Sequence, residues 1–121
     1  MANTESVLPD GASITRPPYF NGENFSFWKM RFKNFVNAQD FDLWEVFEDG
    51  DHVPQSTNPD GTIVAKPRSS FTAEDKKLVV LNKKAILLLQ SALCQQEYFR
   101  VCTLETAKAM WDALSIAHEG T

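Results

Sequence analysis

Residues 23–36 read ENFSFWKMRFKNFV and place five aromatic rings, Phe25, Phe27, Trp28, Phe32 and Phe35, within eleven positions. Their purpose decides the class of protein: lining a ligand pocket, stacking on nucleic-acid bases, or holding a core together. At about 100° per residue, Phe25, Trp28, Phe32, Phe35 and Val36 fall on one side of a helix, within about a third of the circle. Ser26, Lys29, Lys33 and Asn37 fall opposite. Ring stripes at helical spacing face a core, where each ring removes roughly 150–250 Å² from water. The pattern predicts a helix from Asn24, a favourable N-cap residue, to Ala38. Phe27 lies beside the stripe and Met30 points nearly away from it, so these two suggest a second surface.

Working outward, the chain has 121 residues, 43% of them hydrophobic and 23% charged, which fits one globular domain. No apolar run approaches the roughly 18–20 residues that span a bilayer. The opening MANTESVLPDGASITRPP lacks a basic start and an apolar middle, so no signal peptide is expected and the cytoplasm is the expected location. Cys94 and Cys102 make neither a disulfide framework nor a zinc site, and are expected to be plain thiols. Residues 1–60 carry 4 basic and 10 acidic side chains, net −6, and residues 61–121 carry 8 and 6, net +2. An acidic half does not grip a phosphate backbone, and base-stacking platforms sit in positive grooves. The isolated chain is therefore expected to bind neither zinc nor RNA tightly.

Residues 1–16 read as a flexible N-terminal arm, and residues 17–121 as one helical domain. Pro17 and Pro18 make the entry extended. DFDLWEVFEDG predicts a second helix over 41–48, with Phe41, Trp44 and Phe47 sharing a face and Gly50 as the stop. Residues 51–70 read as a small exposed hairpin or a loop, with a turn at NPDG and a brief strand at TIVA. A long helix is expected over 73–93, capped by Thr72. Its wide apolar face carries Leu78, Leu81, Ala85, Leu88, Leu89 and Ala92, while Val80 and Leu87 stand apart among lysines. A short helix over 95–101 follows. Thr103 then caps a last helix over 104–118, with Leu104, Ala107, Met110, Trp111 and Leu114 inward. The expected fold is an all-α bundle of about five helices, its core built on Phe25, Trp28, Phe32, Phe35, Trp44, Leu81, Leu88 and Trp111.

Catalytic patterns fail one by one. His52 and His118 lack the spacing of a zinc helix, and His118 reads as a helix-end side chain that suits the dipole. The five glycines form no phosphate loop, dinucleotide fingerprint or nucleophile elbow. EDGDH at 48–52 lacks the spaced ligands of a calcium loop. Asp40, Asp42, Glu45, Glu48, Asp49 and Asp51 read as a solvated face, or as a docking patch for something basic. No enzymatic activity, cofactor, metal or small-molecule substrate is expected.

PPYFNGENFSFWKMRF, LWEVFEDG, LNKKA and AKAMWDALSIAHEGT, in that order, resemble the N-terminal, capsid-type region of Gag from plant copia-type LTR retrotransposons. The likeness covers residues 17–54 and 71–121. By it, Phe20, Gly22, Asn24, Trp28, Leu43, Trp44, Asn82, Lys84, Ala85, Trp111, Asp112, Glu119, Gly120 and Thr121 match motif positions. The resemblance implies a capsid-type helical domain that self-associates into virus-like particles around the element's RNA. In that family the RNA is held by a Cys-Cys-His-Cys knuckle beyond HEGT. The expected partner is therefore a further copy of the chain, with RNA only through such later regions and no membrane. The alternative is a Gag-derived module reused by the host to hold a peptide or protein. Fold alone does not separate the two.

The unlike charges of the two halves favour head-to-tail contact between copies. The residues expected at such a seam are Phe27 and Met30, Asp42 and Glu45, Val80, Lys83, Lys84 and Leu87. Ala109, Ala113 and Ile116 on the outer side of the last helix complete the set.

Overall fold

The computed structural model describes residues 16–120; the N-terminal arm expected over 1–16 lies, save for Arg16, outside them. The domain is an all-α bundle: α1 Phe25–Gln39, α2 Phe41–Asp49, α3 Ala73–Ser91, α4 Gln95–Val101 and α5 Ala107–Glu119. Between α2 and α3 stands one small antiparallel hairpin, β1 Gln55–Thr57 with β2 Ile63–Ala65, paired Gln55 to Ala65 and Thr57 to Ile63. Of the two readings left open for residues 51–70, the structure takes the hairpin. All six of its strand residues are exposed.

The aromatic stripe of α1 is core. Phe25, Trp28, Phe32 and Val36 are buried, and Phe35 is half-buried against them. Trp28 stacks on Phe20 at 4.9 Å and on Phe32 at 5.0 Å between centroids, and lies 5.7 Å from Trp111. Its indole Nε1 donates to the Pro18 carbonyl at 2.8 Å, so the ring is satisfied at its one polar atom. The extended entry segment is held by backbone as well. Phe20 N donates to Ala92 O at 2.7 Å and Cys94 N to Phe20 O at 3.0 Å, a single parallel bridge to the end of α3.

Two helix caps depart from expectation, and the joint between α1 and α2 is a single residue. Asn24 precedes α1 but makes no side-chain cap, because its backbone is left-handed at φ 55° and turns the amide away from the first amides of the helix. α1 and α2 meet at the single extended residue Asp40, whose N–H closes α1 on Val36 O and whose carboxylate caps α2 by accepting from Asp42 N. Thr103 caps nothing: α5 starts three residues later than expected, with Thr106 as its cap accepting from Ala109 N. The cause is Asn82, buried on α3. Its Oδ1 accepts from Ala107 N, the first amide of the helix, at 3.0 Å and its Nδ2 lies 3.5 Å from Glu105 O, which holds residues 105 and 106 outside the helix. Thr72 caps α3 as expected, within a capping box completed by Asp75.

The face of α2 is also displaced. Leu43, Trp44, Val46 and Phe47 are buried, whereas Phe41 is exposed. An apolar set at 43, 44, 46 and 47 centres the buried arc away from Phe41, which the i, i+3, i+6 reading had included. On α3, Asn82, Ala85 and Leu89 are buried; Leu81 and Leu88 are half-buried and pack on the core rather than form its centre.

Replacing Trp28 by Ala removes the ring that joins α1, α5 and the entry segment, and is expected to cost about 3–5 kcal/mol. A thermal melt within a couple of degrees of the parent would contradict this. Asn82→Ala leaves the Ala107 amide without a partner and is expected to cost about 1–3 kcal/mol; denaturant melts with an unchanged slope measure it.

Candidate functional site

The residues singled out for self-association lie on several faces. On α1, Phe27 and Met30 are exposed, and the Arg31 guanidinium covers the Phe27 ring at 5.3 Å. On α3, Val80, Lys83, Lys84 and Leu87 are exposed. On α5 only Ile116 stands clear. Ala109 and Ala113 are half-buried and Ala113 packs against the core, because it flanks Met110 on the inward arc; this corrects their placement on the outer side.

Acidic and basic candidates border different clefts. Asp42, Glu45, Asp49 and Asp51 surround a cleft of about 270 Å³ between α2 and the first half of α3, with Val46, Leu78 and Leu81 as its apolar wall. Lys84 instead borders a groove of about 490 Å³, shared by the end of α1, the second half of α3 and the entry segment. The groove exists because α1 and α3 each pack on α2 and α5 rather than on each other. Thus Asp42 and Glu45 are not brought to Lys83 and Lys84 within one molecule.

Two ionic clusters escaped the sequence reading. Asp75 accepts from Lys66 Nζ at 2.8 Å and from Thr72 N at 3.0 Å, with His52 Nε2 at 3.3 Å. Lys66 above all, then the Thr72 amide, hold its carboxyl far below the ordinary range. The cluster ties both legs of the hairpin to the start of α3. The second cluster pairs Glu97, on α4, with His118 near the end of α5 at 2.7 Å, with Arg100 at 3.2 Å. His118 is therefore not a free helix-end group: its ring stacks on Phe25 and meets the edge of Phe20. Burial pushes the Glu97 carboxyl up, and the hydrogen bonds from His118 and Arg100 outweigh burial and hold it below 4.5. Only the composition of the pair, not its meeting, was visible in the sequence, since 21 residues separate the partners.

Among the described residues no three His, Cys, Asp or Glu side chains are placed to hold a metal, and no helix is long and apolar enough to cross a membrane. Cys94 and Cys102 are free thiols. With this geometry in view, comparison of the chain with family models, curated proteins and solved structures gave no match.

The Glu97 pair gives a pH signature of definite sign. A carboxyl held below its unfolded value stabilises above about 4.5, and that contribution is lost as pH falls through the lower folded value. The parent is expected to melt above Glu97→Gln at neutral pH, and the gap should close in acid. A gap that stays constant down to strong acid would show that the pair contributes nothing by charge.

Proposed function

We propose that this chain is a structural, non-enzymatic domain of the capsid type, whose work is to present surfaces to further copies of itself in the cytoplasm. The observation that carries the reading is the division between inside and outside. Phe20, Trp28, Leu43, Trp44, Asn82, Ala85 and Trp111, at positions that resemble the Gag motifs, are buried and set the bundle. The bundle leaves Phe27, Met30, Phe41, Leu87 and Ile116 outside it, interleaved with charge. Single exposed apolar side chains are ordinary, but large ones distributed over α1, α2, α3 and α5 suit a unit with several neighbours. Acids on α2 and lysines on α3 add unlike patches, which orient a contact more than they strengthen it.

The domain is expected to be monomeric when dilute and to associate weakly as concentration rises, followed by sedimentation. Lys83→Glu with Lys84→Glu should weaken association and leave the melting temperature unchanged; adding Asp42→Lys with Glu45→Lys should partly restore it. A chain that stays monomeric at millimolar concentration, and whose longer Gag-like context forms no particles by electron microscopy, would overturn the proposal.

A further inference from the structure

At 74%, Phe41 is the most exposed large apolar side chain among the described residues. It opens α2 directly after the Asp40 cap. No cation or ring among the described residues lies against it, unlike Phe27 beneath Arg31. At 100° per residue Glu45 and Glu48 share its face and Asp42 flanks it. Glu48 is engaged, accepting from Trp44 Nε1 at 2.7 Å and lying 4.0 Å from Lys33. Asp42 and Glu45 have no ion-pair partner among the described residues. The outer face of α2 is therefore one apolar knob with two uncommitted carboxylates.

The groove between α1 and α3 has the opposite character. Its apolar wall is Pro17, Phe35, Leu43, Leu87 and Leu88, and its volume of about 490 Å³ suits an inserted ring. Arg16 and Lys84 border it, and neither has an ion-pair partner among the described residues.

We propose that Phe41 of one copy seats in the α1–α3 groove of the next, with Asp42 and Glu45 facing Lys84 and Arg16 across its rim. This rests on the self-association reading and names its seam. Charge complementarity selects a second copy as the occupant: the chain itself supplies an acidic apolar knob for a basic apolar groove. Leu43, which lines the groove, is 200° around α2 from Phe41, so knob and groove face different ways. The contact is then head-to-tail, and each copy keeps one free knob or one free groove for another neighbour.

The test uses the full chain with photo-reactive benzoylphenylalanine at position 41, irradiated at high concentration as a mixture of isotopically light and heavy protein. Light-to-heavy links to Phe35, Leu87 or Pro17 support the seam. Phe41→Ala should lower the association constant by about tenfold or more with an unchanged fold by circular dichroism. Lys84→Glu should weaken association, and a Glu45→Lys copy mixed with it should recover part of the loss. Association that persists with links elsewhere overturns the seam and leaves self-association standing. Links within one chain, to residues 1–15, overturn it, because Phe41 is then covered by its own chain and not by a neighbour's groove. A groove that takes up no copy yet binds a free acidic apolar peptide overturns it in favour of a peptide-binding module. No association up to millimolar concentration overturns both the seam and the reading beneath it.

Discussion

The indole of Trp28 is the point on which the bundle depends. Its faces meet Phe20 and Phe32, Trp111 lies beside it, and its nitrogen holds the Pro18 carbonyl. Four separate stretches of chain, the entry segment, α1, α5 and through Trp111 also α2, are thereby registered against one ring system. A domain of this size has little interior to spare, and large planar side chains fill it with few residues. The concentration of aromatics in the first half of the sequence is the consequence. Later helices contribute smaller groups, such as Ala85, Leu89, Ala92 and Ala107, that let backbones approach the rings.

Where local rules governed, the sequence was legible. The α1 stripe, the Thr72 cap and the turn at NPDG all follow from spacing and from residue chemistry within one turn. Where a distant partner intervened, it was not. Thr103 and Thr106 are equally good caps by composition, and Asn82, more than twenty residues earlier, decides between them. Glu97 and His118 each look like surface residues until α4 and α5 fold together over Phe25. Phe41 was misread for a different reason. Its ring fits a helical period with Trp44 and Phe47, yet the larger set of Leu43, Trp44, Val46 and Phe47 turns the helix so that Phe41 faces out. Of the surface candidates, exposure at Phe27, Met30, Val80 and Leu87 was readable from the wheel, while the groove beside Leu87 was not, because it arises from how three elements leave space between them.

The single-residue joint at Asp40 links these two scales. One extended residue ends α1 and caps α2, so α2 leaves at once in a new direction, and its apolar set at 43, 44, 46 and 47 decides which side meets the core. Buried aromatic packing and outward presentation of Phe41 are thus two results of how α2 docks on the core. A core this dependent on large rings has few alternative packings, which keeps the outer faces in constant relation to one another.

The hairpin stands apart from this economy. Its strands bury nothing, and at its base Asp75 accepts from Lys66 in an ion pair and meets His52 Nε2 at 3.3 Å. Beyond those links the strands pair with each other and their residues stay exposed, so they add nothing to the buried core. Lengthening the tip around Asp60–Gly61 lengthens only an exposed loop, at an entropic cost that grows slowly with each added residue. The hairpin is therefore the natural grafting point of this fold, a place where foreign sequence can be carried outward without the core registering its arrival.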